Sequence, residues 1–562
     1  MSKRMSPCQQ ACPTKTNVAK YTRLILEGDL YEAWKVNRAA NVLVSVCGRV
    51  CVHPCESSCK RGNIKSEDSA PVSLEPVAIR GLKRFITDYL PPDYQERFLE
   101  EILPIKKNNK RVAVVGSGPA GLAVANDLIL SGCEVVIFES LPEPGGTLRF
   151  GIPSYRLPRE VLEEEIGLLG KLGVKIITNT TVGKNISLDA LERDFNAVFV
   201  GPGAQKPKAL SIKGENLAGV IPGITFLQQV SLGEPVDVKG KVMAVIGGGF
   251  TAADVARTAL RMGAKVIVLY RRGLEEMPMD AEERRALVEE GVKVHCLASP
   301  LEILSGRGKK VKGLRCIKNE LTEPDASGRR KPVPIPGSEF ELEADMVIPA
   351  IDQEPDTSLL QGVSEANPET LETPKKGIFA GGDFITGTSN VIEVIAHAHR
   401  ASEAILKYLG EEMRNMEEDV PRRIAGSPWN SRDPETMYRQ KTYGGWLKEG
   451  GNFKEVDKGL TRDIAIMEAS RCLQCDYVLE IEKDCNYCGA CVRNCPQNAL
   501  EMTFLNKDPN RFKENRGGQS WFYSGHWHIE EDAQITRNPD LCIQCGVCVQ
   551  SCPVQNMSFL SK

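Results

Sequence analysis

Two cysteine runs near the C-terminus constrain this chain more than any other feature. Cys485, Cys488, Cys491 and Cys495 precede Pro496; Cys542, Cys545, Cys548 and Cys552 precede Pro553. Both read C-x2-C-x2-C-x3-C-P. In that spacing three close thiolates hold one four-iron cluster and the fourth crosses to the other. One [4Fe–4S] cluster is therefore expected on Cys485, Cys488, Cys491 and Cys552, and a second on Cys542, Cys545, Cys548 and Cys495. Zinc fits less well, because its sites rarely use three such closely set cysteines with a terminal Cys-Pro.

The remaining cysteines follow the same polarity. Of 19 in 562 residues, six lie at Cys8, Cys12, Cys47, Cys51, Cys55 and Cys59, and a CLQC pair brings Cys472 and Cys475. Only Cys133, Cys296 and Cys316 occupy the middle, where they read as small buried hydrophobes. A secreted disulfide scaffold would be short and would spread its cysteines. The N-terminal six stand four apart within each group, so several loops must converge on one or two clusters.

Other classes are excluded quickly. A net charge of −3 gives no electrostatic footprint for nucleic acid or an anionic membrane. No apolar stretch suits a membrane span, and the first residues lack a signal-peptide core. The expectation is a cytoplasmic protein with neither a membrane span nor a nucleic-acid partner.

Between the cysteine-rich ends, short Val/Ile-rich strands alternate with helical segments, the pattern of a parallel-sheet α/β fold. Two turns in it carry chemistry. Gly116, Gly118, Pro119, Ala120 and Gly121 follow the strand RVAVV and open a helix, and Glu139 ends the next strand. Glycine at these positions permits a tight turn, close backbone approach to a pyrophosphate and helix–strand packing; the acid meets a ribose hydroxyl. Gly247, Gly249, Phe250, Thr251 and Ala252 repeat the device after KVMAVI, but Arg271 and Arg272 replace the acid. Guanidinium groups suit a 2′-phosphate, so NADPH is favoured over NADH. Hydride transfer and electron carriage belong to cofactors, so no catalytic side chain is assigned.

EPGGTLRFGIP, with Gly145, Gly146, Thr147 and Leu148, follows the first turn, and GIFAGGD, with Gly382 and Asp383, lies far downstream. The pairing resembles the flavoproteins with two dinucleotide domains, which implies FAD at the first turn and Asp383 near its ribityl chain. No Cys-x-x-Cys lies between the two turns, against a redox disulfide of the thioredoxin-reductase kind. VCGRVCVHPCESSC, GDLYEAW, GIPSYRLP, LYRR and GIFAGGD together resemble the small subunit of NADPH-dependent glutamate synthase and the N-terminal part of dihydropyrimidine dehydrogenase, over residues 1–409. That resemblance implies two N-terminal [4Fe–4S] clusters. In the family a CLxC pair precedes the equivalent of Cys8; here CLQC follows the flavoprotein region and is expected to fold back. By analogy one cluster takes Cys8, Cys59, Cys472 and Cys475. The other takes Cys12, Cys51, Cys55 and a fourth ligand. Where the family supplies Gln or Glu this chain aligns Ala78, leaving Glu75 or Cys47. Phe250 and Asp352 depart from the family's usual Asp or Asn and Gly.

The architecture expected is α/β, with two interleaved Rossmann-like dinucleotide-binding domains. An α-helical iron–sulfur domain covers 1–100, the FAD-binding domain 108–235 and 345–410, and the NAD(P)H-binding domain 236–344. A connector, 411–479, carries CLQC back to the N-terminal domain, and an α+β ferredoxin-like domain with two clusters covers 480–562. The function implied is electron transfer between NADPH (or NADH) and a partner redox subunit or ferredoxin, inside a hetero-oligomer such as a 2-oxoacid:acceptor oxidoreductase. A stand-alone NADPH:ferredoxin oxidoreductase or a module of a bifurcating transhydrogenase is the alternative.

Overall fold

The computed structural model describes residues 5–63, 75–325, 330–358, 363, 365–414, 416, 423–424, 453–473, 475, 477–481, 500–504, 533–537 and 557–561. The two C-terminal cysteine runs lie outside the described residues.

The N-terminal region is helical because its polar residues sit where helices start. Asn17 accepts from the Lys20 amide to cap Val18–Glu27, and Asp29 accepts from Glu32 to cap Leu30–Ala40. Trp34 is buried between the rings of Tyr94 and Phe98, edge-on at 5.0 and 5.1 Å. Helices Val44–Val50 and Ile79–Asp88 touch backbone to backbone. A Cβ on Gly48 would lie 2.8 Å from the Arg84 Cα.

Two parallel sheets follow, of the doubly wound kind expected. The first has the order Ile378–Ala380, Ala197–Val200, Arg111–Val115, Glu134–Phe138, Lys175–Ile177. Its central strands are buried along nearly their whole length, as helix-covered parallel strands must be. The second has the order Met346–Pro349, Val242–Ile246, Lys265–Tyr270, Lys293–Cys296, and sits in the chain between two strands of the first. Its last parallel strand reaches Pro349, so this unit ends beyond residue 344, the limit that sequence pattern suggested. An antiparallel sheet of Ala298–Ser305, Val311–Leu321 and Pro332–Glu343 is inserted in it. The sequence did not announce this sheet, because its outer strand, PVPIPGSEFELE, exposes most of its residues and lacks a buried stripe.

The helical region docks on the first sheet's helices. Arg38 donates to the Asn126 side chain at 2.6 Å, and His399 bridges the Asp127 carboxylate at 2.7 Å and the Ala40 carbonyl at 3.2 Å. Residues beyond 453 return to it. Glu455 pairs with Arg49 at 2.8 Å and Arg84 at 3.0 Å, and Leu460 packs on Gly81. Helix Arg462–Ser470, capped by Thr461, then packs on Val18–Glu27 and Ile79–Asp88. Near the C-terminus, Met557–Ser561 pairs antiparallel with Tyr477–Ile481 and with Arg423–Ile424, so that sheet begins before residue 480 and recruits a strand from the connector. No helix among the described residues is long and apolar enough to cross a membrane.

Candidate functional site

A cavity of about 390 Å³ opens at the carboxyl ends of the first sheet. Gly116, Gly118, Pro119, Ala120, Glu139, Gly146, Thr147, Leu148 and Asp383 line it; Gly121, Gly145 and Gly382 do not. The three motif glycines divide their work as the turn requires. Gly116 has φ +94° and its Cβ position lies 2.7 Å from the Gly201 carbonyl oxygen. At Gly121 a Cβ would meet the Gly116 oxygen at 1.9 Å. At Gly118 it would meet nothing within 4 Å, so that backbone is open to a ligand. Helix Pro119–Leu130 points its amino end there, where free N–H groups and the dipole favour a pyrophosphate. Glu139 is buried and held in place: Ser117 donates its amide to one oxygen at 2.9 Å, and Leu141 donates to the other at 2.8 Å. Opposite, Ser389 donates to Asp383 through its amide and hydroxyl, at 3.1 and 2.7 Å. The residues present fit an adenine dinucleotide that reaches from Glu139 to Asp383.

The second turn repeats the geometry. A Cβ on Gly247 would lie 2.2 Å from the Ala350 oxygen, whereas at Gly249 it would meet only the Pro278 ring, in ordinary contact at 3.9 Å. Phe250 and Thr251 open helix Phe250–Arg261, half-buried, and Ala252, the next residue of that helix, is fully buried. The Tyr270 ring abuts Gly248, so Arg271 and Arg272 leave their strand beside the turn. Their carbonyls are fixed by the Asn319 side chain and the Leu297 amide, each at 2.9 Å. Among the described residues neither guanidinium forms an ion pair.

The N-terminal cysteines and CLQC meet in two groups. Cys8, Cys59, Cys472 and Cys475 line one cavity; Cys12, Cys47, Cys51 and Cys55 line the next. Glu75 is exposed, and the Ala78 amide is spent on Glu468, so neither lines the second cavity; Cys47, fully buried, does. Burial pushes the thiols of Cys8, Cys51, Cys55, Cys59 and Cys475 up, and that of Cys47 to about 12. Burial acts the same way on Cys12, but Lys83 and hydrogen bonds from Thr14 and Thr16 outweigh it and hold that thiol down. Buried thiols facing each other ionise only around a cation. Among the described residues no three His, Cys, Asp or Glu side chains close on a single ion. Four cysteines spaced around a cavity fit a multi-iron cluster.

Sequence reasoning missed several neighbours. Tyr155 and Arg156, quoted only as part of GIPSYRLP, dock the second nucleotide unit on the first. Arg156 pairs with Asp254 at 2.9 Å and Glu283 at 3.0 Å, and Arg257 and Arg261 lie over the Tyr155 ring. Lys83, Arg80 and His53 line the second cysteine cavity. The only signal for Arg80 and Lys83 was a charged helix, IRGLKRF, in a region expected to pack, and His53 lies inside the cysteine run VCVHPCESSC. The mid-chain cysteines behave as read at Cys133 and Cys316, which are buried; Cys296 is half-buried at a strand end.

The comparisons with known proteins agree with this layout. Residues 107–404 match the pyridine nucleotide-disulphide oxidoreductase family, residues 3–93 the dihydropyrimidine dehydrogenase domain II with a 4Fe-4S cluster, and residues 484–556 a 4Fe-4S dicluster domain. The chain is 38% identical to the NADP(+)-dependent formate dehydrogenase subunit beta of Moorella thermoacetica, over 84% of this chain and 70% of that one. It is 37% identical to the NADPH-Fe(3+) oxidoreductase subunit beta of Geobacter sulfurreducens, over 84% and 76%. It is 34% identical to the glutamate synthase [NADPH] small chain of Escherichia coli, over 72% and 88%. An FAD and NAD(P) oxidoreductase core flanked by 4Fe-4S domains at both ends makes this an electron-transfer enzyme. The chain belongs to the pyridine nucleotide-disulphide oxidoreductase family, in the group of flavo-iron–sulfur subunits that includes the glutamate synthase small chain.

Proposed function

We propose that this chain is the NADPH-linked electron-transfer subunit of a larger redox complex, exchanging electrons with a companion subunit or a ferredoxin through FAD and four [4Fe–4S] clusters. When bound, FAD exchanges a hydride with the nicotinamide and single electrons with iron–sulfur centres. The contiguity of three cavities carries this reading. Helix Val391–Leu409 turns Val391 and Val394 to the first nucleotide cavity and Ile392 to the cavity of Cys12, Cys47, Cys51 and Cys55. Val18 and Ile79 in turn line both cysteine cavities. We therefore read Cys12, Cys47, Cys51 and Cys55 as ligands of the cluster nearest the flavin. Cys8, Cys59, Cys472 and Cys475 hold the next, and the chain after Cys475 leads to the two C-terminal runs.

The chain's own groups bind and orient. Gly118 and the helix behind it receive the FAD pyrophosphate, Glu139 a ribose hydroxyl, and Asp383 the ribityl side. Gly247, Gly249 and the start of the second helix receive the nicotinamide dinucleotide, and the Arg156–Asp254 pair holds that unit against the first. The names of the relatives, "subunit beta" and "small chain", support a companion subunit. Anoxic purification tests the reading. About sixteen irons and one FAD per chain are expected; about eight irons would remove the N-terminal pair. A chain that purifies alone and reduces ferredoxin would replace the companion subunit with the stand-alone alternative.

Arg271 and Arg272 carry a second prediction. Charged hydrogen bonds to a phosphate contribute about 1.5–3 kcal/mol. Replacing both with alanine should lower the preference for NADPH over NADH in stopped-flow flavin bleaching by roughly ten- to hundredfold. An unchanged ratio, or a wild type that prefers NADH, would remove these arginines from phosphate recognition.

A further inference from the structure

We propose that the Lys83 ammonium is the resident counter-charge of the cluster held by Cys12, Cys47, Cys51 and Cys55, and raises its reduction potential. This rests on the ligand reading above. Lys83 is 7% exposed and lines that cavity from helix Ile79–Asp88. A lysine this buried is unusual unless paired, and one that served only packing would reach its ammonium to water.

The other cations on the helix are committed to carboxylates. Arg80 pairs with Glu282 and Asp280, and Arg84 with Asp88, Glu455 and Asp457. Among the described residues the Lys83 side chain has neither an ion pair nor a hydrogen bond. It shares its cavity with the four thiols, with His53 and Arg80, and with an otherwise largely apolar wall of Val18, Pro54, Ile79 and Ile392. The anions it can serve are therefore the cysteine sulfurs.

A one-electron reduction makes a cluster more negative while leaving its bonds to the chain in place. In a low-dielectric cavity a fixed positive charge stabilises that reduced state more than the oxidised one. Lys83 touches neither substrate nor nucleotide; it is a positioning residue that acts through the cluster's potential.

The test is an anoxic redox titration of the full chain, in whatever complex it purifies with, followed by electron paramagnetic resonance. Wild type, Lys83→Arg, Lys83→Met and Lys83→Gln are compared, each with iron counted. In Lys83→Met one cluster's midpoint should fall so that its reduced-to-oxidised ratio at fixed poise drops at least tenfold, which is 59 mV for a one-electron couple. Lys83→Arg should stay near wild type. Lys83→Gln carries the same expectation as Lys83→Met and replaces it if methionine disturbs assembly. Unchanged potentials in both neutral variants with iron retained would overturn the proposal and leave the ligand reading intact. So would loss of the cluster from every neutral variant, which would make Lys83 an assembly residue. A wild type without N-terminal clusters would instead overturn the ligand reading.

Discussion

Replacing Glu468 with alanine is expected to free the CLQC segment and lower the iron content from about sixteen to about twelve per chain. Glu468 and Arg471 are both fully buried and pair at 2.5 Å. The same carboxylate oxygen accepts the Ala78 amide at 2.7 Å, and Arg471 donates to the Pro76 carbonyl at 3.3 Å. The pair thus ties helix Arg462–Ser470 to the residues that lead into Ile79–Asp88. Removing one member of a buried ion pair costs about 3–5 kcal/mol, because the other charge stays desolvated without its counter-ion. That is as large as the gain of about 3–5 kcal/mol from burying Leu460, Ala465 and Ala469 in this stretch. Cys472 and Cys475 follow this helix directly, so their cavity should open while the cavity of Cys12, Cys47, Cys51 and Cys55 survives. Glu468→Gln keeps an acceptor for Ala78 and should lose less iron. Iron counting and limited proteolysis near residue 470 read the outcome. Full iron and unchanged cleavage in Glu468→Ala would show that CLQC is held by other contacts.

Chemistry with a fixed spacing was readable in the sequence. The two glycine turns and the acid or arginines after them are local in sequence, and the strand–turn–helix around each is enough to define its geometry. The cysteine groups were harder, since Cys8 and Cys475 are brought together by a return of the chain that no local pattern encodes. The family analogy suggested their meeting, yet Glu468, Arg471 and Glu455, which anchor that return, look in the sequence like ordinary surface charges. The fourth group at the second cavity could not be decided from sequence either. It depends on which helix face turns inward: Cys47 and Lys83 are buried there, while Glu75 is exposed. Arg156 and Asp254 lie 98 residues apart, and only the docking of two units shows them as partners.

Gly118→Val and Gly121→Val, two substitutions in the same turn, should fail in different ways. At Gly118 the backbone has φ −70° and an added Cβ would meet no protein atom within 4 Å, so a valine side chain is carried into the nucleotide cavity. The chain should fold with its clusters and keep the thermal midpoint of the flavin-free wild type, while FAD content falls from about one per chain to near zero. At Gly121 the added carbon would lie 1.9 Å from the Gly116 oxygen and 3.1 Å from the Val114 side chain. Helix Pro119–Leu130 would have to lift from strand Arg111–Val115, and with it the packing of helix Val391–Leu409 and the Asn126 and Asp127 contacts to the N-terminal helices. Overpacking a tight core contact typically costs 1–3 kcal/mol and more where backbone must move. Gly121→Val should therefore lose flavin and stability together and recover poorly from expression. If Gly118→Val retains FAD, or if both variants unfold alike, the division of labour between these two glycines is not the one the geometry implies.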